Sequence, residues 1–566
     1  MKFSEMPYTR PDPAAFAAKL NGLTDRLKKA ADYGDAKHIF LECEQEMKRI
    51  NTLRILASIR RDLDTRDPFY REEAAFWCEF DAEITKLRQE WKKAMLDSPF
   101  REDFSREYGE LLFLDTEMTQ KTFSNEIVSE LKRENELVNE YFELFADSIP
   151  FEDGYRTMAE LWSLQTDADD ARRLAAWNAL GRWYKDRQQS RDSIFDELVK
   201  LRDDMGRKLG YDGFTGLGYC RMKRNCYTKD DVEVFRKAVQ THLVPVADRI
   251  MREQAKRIGR PYPVSFADAY LNFRGGNPNP VGGAENIIAQ GKKLFDLLSP
   301  ESSEFFKTML DNELMDLLPR EGKMYNCFSS SLYQYEAPFI YANFTGTYMD
   351  VIALTHEGGH AFADRMNLNR IPLAHIAASM DISETHAMSM EFFGWLNAEG
   401  FFGSDARKFC YSHLSNAITQ IPYGAMVDHF QHIIYEKPEL TPAERHAEWK
   451  RLMGIYMPWI KLDGEIPFFS EGMHWQMQGQ IYASPFYYID YCLAQTAALQ
   501  IWVVMQSSPK DAWERYMAFC KQGGTCTFTE LLNYSGLTSP FDEECLKDVC
   551  AAVVKWLENF DMNGIE

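Results

Sequence analysis

Thr347-Tyr348-Met349-Asp350-Val351-Ile352-Ala353-Leu354-Thr355-His356-Glu357-Gly358-Gly359-His360-Ala361-Phe362 is the stretch on which the rest of the chain hangs. Val351, Ile352, Leu354, Ala361 and Phe362 give it the apolar content of a buried helix. Residues four apart share a helix face, one turn above the other, so His356 and His360 present two imidazole nitrogens to one point. Glu357 follows His356 by about 100° around the axis and reaches the same side. The adjacent Gly358 and Gly359 together cost a helix interior about 2 kcal/mol relative to alanine. A bare surface is therefore needed there, for a close neighbour or for an extended backbone lying against it.

Two histidines at this spacing, with a glutamate after the first, form the HExxH arrangement of zinc-dependent hydrolysis. The histidines hold the ion, and the glutamate acts as general base on a water beside it rather than as a ligand. A tetrahedral site takes a third protein ligand and keeps the fourth position for water. The next candidate run is Asp381-Ile382-Ser383-Glu384-Thr385-His386-Ala387-Met388-Ser389-Met390-Glu391-Phe392-Phe393-Gly394-Trp395. Asn367-Leu368-Asn369-Arg370-Ile371-Pro372 separates the two runs and reads as a turn, since Asn and Pro both end helices. A second helix then returns antiparallel to the first, with Glu384 near its start facing the histidines. Glu391, seven residues on, shares that face. It either orients a ligand from behind or is an ion-paired surface carboxylate. His375 and His386 read as non-ligands.

These residues resemble the thimet oligopeptidase and oligoendopeptidase F family of zinc metallopeptidases. The likeness rests on His356-Glu357-Gly358-Gly359-His360, on Glu384-Thr385-His386-Ala387-Met388-Ser389-Met390-Glu391, and on the lead-in Phe344-Thr345-Gly346-Thr347 with Asp350-Val351. The resemblance implies a zinc ion held by His356, His360 and Glu384, with Glu357 as general base. It also implies a bilobed helical shell around a deep channel that admits short peptides.

Composition sets the background. The chain has 566 residues, enough for a large core and two lobes. Its 45% hydrophobic and 27% charged residues are ordinary for a globular protein. A formal net charge of −21 disfavours nucleic acid and anionic membranes and fits an acidic cytoplasmic protein. Met1-Lys2-Phe3-Ser4-Glu5-Met6-Pro7 lacks the apolar core of a signal peptide. The longest apolar segment, 493–505, is too short to span a bilayer. The 11 cysteines lack paired metal-site spacing and read as free thiols in a reducing compartment.

From about residue 14 to 209 the pattern is helical. Ile127, Leu131, Val138, Tyr141 and Phe145 trace one apolar stripe, and Ile194, Leu198, Leu201, Met205 and Leu209 another. Gly210-Tyr211-Asp212-Gly213-Phe214-Thr215-Gly216-Leu217-Gly218-Tyr219 reads as a loop, the expected boundary between an N-terminal helical lobe (1–209) and a catalytic region (210–566). Thr228 with Asp231 forms a capping-box pair, and Pro245 is expected to kink the helix that follows. Residues 328–344, rich in Tyr, Phe, Ile and Leu, are the one β segment expected. That strand either pairs with an extended substrate or lies wholly inside a small sheet. Thr441-Pro442-Ala443-Glu444 and Ser539-Pro540 read as helix starts. The fold class is mainly α, with one small β-sheet beside the zinc helix.

A peptidase also needs a donor for the tetrahedral oxyanion. In Gly479-Gln480-Ile481-Tyr482-Ala483-Ser484-Pro485-Phe486-Tyr487-Tyr488-Ile489-Asp490-Tyr491, Ser484 and Pro485 can start a helix on which Tyr488 and Tyr491 share a face. Two phenols so placed are either donors or aromatic packing. The resemblance implies the first, with Tyr488 matching the family's transition-state tyrosine and Tyr491 or Tyr482 assisting. One residue departs: where the family has histidine in a G-H-I-F/Y stretch, this chain has Gln480, and His474 lies six residues too early to replace it. Glutamine donates a neutral hydrogen bond but carries no proton or charge. The expectation is a zinc-dependent endopeptidase of short oligopeptides. Its rivals are a zinc-bearing peptide-binding protein with weak turnover and a helical carboxypeptidase of the same zinc type.

Overall fold

The computed structural model describes residues 1–145, 148–152, 154–376 and 378–565. Among the described residues helices account for 71% and strands for 4%. The chain divides into two compact units, each assembled from three separate stretches. The first comprises Met1–Gln120, Asn279–Ser404 and Ala497–Leu537. The second comprises Lys121–Pro278, Asp405–Thr496 and the residues from Thr538 onward. Residues 209 and 210 fall inside the second unit.

In the first unit, α1 (Tyr33–Leu63) packs with its neighbours around Phe16, Phe40, Trp77 and Phe80. Four further helices concern the site: α2 (Gly283–Leu298), α3 (Tyr348–Asn367), α4 (Met380–Phe393) and α5 (Pro509–Gln522). α3 carries the HExxH motif. Its start is fixed by Asp350, whose Oδ2 accepts the backbone N–H groups of Thr345, Gly346 and Thr347 at 2.8, 2.6 and 2.7 Å. One carboxylate thus satisfies three donors at the positive end of the helix dipole.

The β segment is a hairpin rather than one strand. β1 (Met315–Asp316), β2 (Phe328–Leu332) and β3 (Ala337–Tyr341) form a sheet in the order β1-β3-β2. β3 is central, parallel to β1 and antiparallel to β2, with Ser330 opposite Phe339. A turn at Tyr333–Tyr335, with Glu336 at φ +47°, reverses the chain between strands. The β-favouring residues run on through this turn, so periodicity alone could not find it. β2 lies at the edge of the described sheet and beside α3.

The second unit holds a feature not expected from sequence, a two-stranded antiparallel sheet of Ile149–Phe151 and Gly154–Arg156. Strands of three residues are too short for alternation to register. The capping boxes at Thr228 and Thr441 are present. A turn of π-helix at Val239–Leu243 precedes Val244–Ile258, which takes Pro245 into its first turn. That placement spares the backbone hydrogen bond proline would break inside a helix. The glycine run at 210–219 is only half a loop, because Phe214–Arg221 is helical. A Cβ on Gly218 would meet the Phe486 ring at 2.7 Å, so that glycine serves close packing. The last helix starts at Glu543, capped by Asp542, four residues after Ser539. Among the described residues no cysteine is in a disulfide, and no described helix is long and apolar enough to cross a membrane.

Candidate metal centre

α3 and α4 lie against each other along their lengths because of Gly359. A Cβ there would sit 2.6 Å from the His386 carbonyl oxygen and 2.8 Å from the Ala387 Cα, both backbone atoms of α4. The bare surface demanded by the glycine pair is therefore a helix–helix contact at Gly359. At Gly358 the neighbour is the Phe295 ring of α2, 3.0 Å from the position of a Cβ.

This contact brings three side chains together. One ligand atom from each of His356, His360 and Glu384 lies within 4.8 Å of the others. Glu384 Oε2 is 3.4 Å from His356 Nε2 and 3.9 Å from His360 Nε2. The remaining ring nitrogens face away from that point and are engaged. His356 Nδ1 is 2.7 Å from Glu391 Oε1, and His360 Nδ1 is 3.2 Å from Ser383 Oγ. Each imidazole therefore has one nitrogen turned to the common point and the other held by a neighbour, the pattern that fixes tautomer and ring orientation.

Electrostatics agree with a cation at this point. Burial works against charge on His356, yet the hydrogen bonds and charges of Glu384 and Glu391 outweigh it and hold the imidazole well above its ordinary pKa. Burial and the neighbouring His356 push His360 down to about 4, leaving it neutral and able to ligate. Burial raises Glu357, opposed by His356 and Cys327. Two imidazoles and one carboxylate around one point, with a second carboxylate behind, form a nitrogen and oxygen donor set that suits zinc. His375 and His386 are buried and are not among the three converging side chains. His386 is pushed down to about 3, chiefly by burial.

Glu357 has neighbours the sequence did not suggest. The Cys327 thiol, one residue before β2, lies 3.6 Å from Glu357 Oε1. Four residues along, Ser331 Oγ donates to Asp364 Oδ2 of α3 at 2.5 Å. Neither contact leaves a local signal, since each joins α3 to a residue about 30 positions earlier, at or just before β2.

The tyrosine segment belongs to the second unit. Tyr488 and Tyr491 stand in the first turn of the helix Tyr488–Ser507, partly buried, with ring centroids 5.8 Å apart. The Tyr488 hydroxyl donates to Gln478 Oε1 at 3.1 Å. This helix begins after the expected Ser484-Pro485 start, because Phe486 adopts φ +68° and breaks the run. Two buried arginines hold the segment. Arg202 donates to the carbonyls of Ile481 (3.4 Å) and Tyr482, and Arg224 to the Phe486 carbonyl and to Asp490 Oδ1 (3.0 Å). Tyr482 is fully buried and stacked on Tyr141 at 3.8 Å, its hydroxyl 3.5 Å from the Arg191 carbonyl. That environment is core packing. His474 is likewise buried and accepts from Trp449 Nε1 at 3.3 Å.

Comparison with known proteins accords with this architecture. Residues 3–123 match the peptidase M3 N-terminal domain and residues 298–549 match peptidase family M3. A solved structure of PZ peptidase A with an inhibitor is 38% identical, with a TM-score of 0.93 over 99% of this chain and 100% of that one. A provisionally assigned oligoendopeptidase F from Bacillus anthracis is 36% identical, with a TM-score of 0.88 over 99% of each chain. An oligoendopeptidase F homolog of Borreliella burgdorferi is 26% identical over 43% of this chain and 42% of its own, so the matched span is under half of that relative's length. Fold and likeness together define a peptidase. The chain belongs to peptidase family M3.

Proposed function

We propose that this peptidase is a zinc-dependent endopeptidase of short oligopeptides, with His356, His360 and Glu384 as the metal ligands. The observation that carries the proposal is the convergence of three ligand atoms within 4.8 Å from two neighbouring helices. When bound, the zinc supplies a Lewis acid that lowers the pKa of water toward 7 and polarises a peptide carbonyl. Glu357 receives a proton on its carboxylate as the water oxygen bonds to the carbonyl carbon. It then delivers that proton to the amine nitrogen as the C–N bond breaks. Glu391 keeps the His356 ring aimed by accepting from Nδ1.

The family resemblance assigns donation to the oxyanion to Tyr488, with Tyr491 assisting. Tyr482 is left out, because its hydroxyl is spent in the core. Gln480 favours a second reading, a zinc-bearing peptide binder with weak turnover. Under that reading Gln480→His raises kcat sharply, whereas an adapted site gains little.

The deciding experiment pairs zinc quantification with a quenched fluorescent peptide assay on the chain and on Glu357→Gln. Zinc retained with turnover lost supports the assigned roles, and unchanged turnover removes Glu357 as the base. Products from one free and one amidated peptide separate internal cleavage from carboxypeptidase action.

A further inference from the structure

We infer that Cys327 is a positioning residue for Glu357, acting from a strand edge that is tied to the zinc-motif helix at two points. The inference deepens the proposed function and rests on Glu357 being its base. Cys327, one residue before β2, and Ser331, within it, both turn their side chains to α3. Their partners Glu357 and Asp364 are seven apart on α3 and share a face of that helix. The contacts are Cys327 Sγ to Glu357 Oε1 at 3.6 Å and Ser331 Oγ to Asp364 Oδ2 at 2.5 Å. Two side-chain ties at this spacing fix the strand lengthwise against the helix.

The thiol is held from behind as well. Asn343 Nδ2 donates to the carbonyls of Met324 and Asn326, each at 3.0 Å, and the Met324 N–H donates to the Asp62 carbonyl at 2.8 Å. The Cys327 N–H is itself bonded to Asn326 Oδ1 at 2.9 Å. The loop that presents the sulfur is therefore anchored to the exit of β3 and to the end of α1. A protonated thiol is a weak donor, but here it meets the one carboxylate of α3 that must hold a set orientation while it takes up and releases a proton. The serine tie four residues further on keeps the thiol from sliding out of reach.

The test is steady-state kinetics with a quenched fluorescent peptide on Cys327→Val, Cys327→Ala and Cys327→Ser, with zinc content measured for each. Valine and alanine remove the donor, whereas serine restores one. The expected result for valine and alanine is a fall in kcat of about five- to tenfold, the size of one modest hydrogen bond. KM and zinc content should stay unchanged, and the serine variant should return close to the parent. A valine variant with full kcat, an effect confined to KM, or a serine variant as slow as the valine one overturns the inference. Glu357→Gln run alongside separates the two levels. If it keeps turnover, the base assignment itself falls. If it is inactive while Cys327→Val is unaffected, only the positioning role falls.

Discussion

Glu391 Oε1 lies 2.7 Å from Nδ1 of His356, a residue 35 positions earlier on the neighbouring helix. The carboxylate holds the ring nitrogen that faces away from Glu384 and so sets the direction of the other. Glu391→Ala should lower zinc affinity about 10- to 100-fold, the usual cost of losing such a partner. Chelator competition measures this, and activity should return at high added zinc. Unchanged affinity would reduce Glu391 to an ion pair without influence on the site.

Zinc binding should stabilise the fold as well as support turnover, because its proposed ligands come from two helices. At a thousandfold excess of zinc over its Kd the gain is about 4 kcal/mol. Stripping the metal with a chelator should abolish peptide cleavage and lower Tm, and zinc should restore both. Full cleavage by a metal-free preparation would exclude the proposed chemistry.

The two motif glycines should respond differently to alanine. At Gly359 the clash is with α4 backbone at 2.6 and 2.8 Å, which cannot move without carrying Glu384 away from the histidines. Overpacking of this kind costs about 1–3 kcal/mol, and zinc affinity should fall with stability. At Gly358 the neighbour is a side-chain ring at 3.0 Å, and the gain in helix propensity, about 1 kcal/mol, offsets the contact. Denaturant titration of both variants distinguishes them.

Stability should fall as pH rises through the range set by Glu44. This α1 residue accepts the Leu373 N–H at 2.5 Å, and burial pushes it up to about 7. The folded chain therefore binds a proton that the unfolded chain has released above the ordinary carboxylate range. The contribution is fully present below pH of about 4.5 and is lost as pH approaches 7, in all about 3 kcal/mol. Glu44→Gln should flatten this part of the profile, read as the difference between the two chains in denaturant unfolding at pH 5 and pH 8. Parallel profiles would show that Glu44 titrates alike in both states.

The tyrosines should separate by environment. If Tyr488 donates to the oxyanion, Tyr488→Phe should lower kcat about 100- to 1,000-fold with zinc retained. Tyr482→Phe keeps the ring stacked on Tyr141 and loses only a long hydrogen bond to the Arg191 carbonyl. Its kcat should barely change. The reverse order of effects would exchange the two roles.

Helical spacing alone placed His356, Glu357 and His360 on one side of α3, because i, i+1 and i+4 relations are properties of any helix. The same holds for Glu384 and Glu391 on α4, and for the capping boxes at Thr228 and Thr441, whose partners lie three residues apart. The helix carrying HExxH, the returning helix carrying Glu384 and the mainly α character were therefore legible from residue order.

What joins distant residues was not. The contact of Gly359 with α4, which brings Glu384 to within 3.4 Å of His356, depends on packing between helices. The same is true of Cys327 beside Glu357, and of the arginines that hold the tyrosine segment. The hairpin was missed because its turn is as β-favouring as its strands, and the late start at Tyr488 because Phe486 takes a left-handed conformation that no residue preference announces. Local geometry repeats wherever a helix forms, whereas these contacts exist only once the chain has closed on itself.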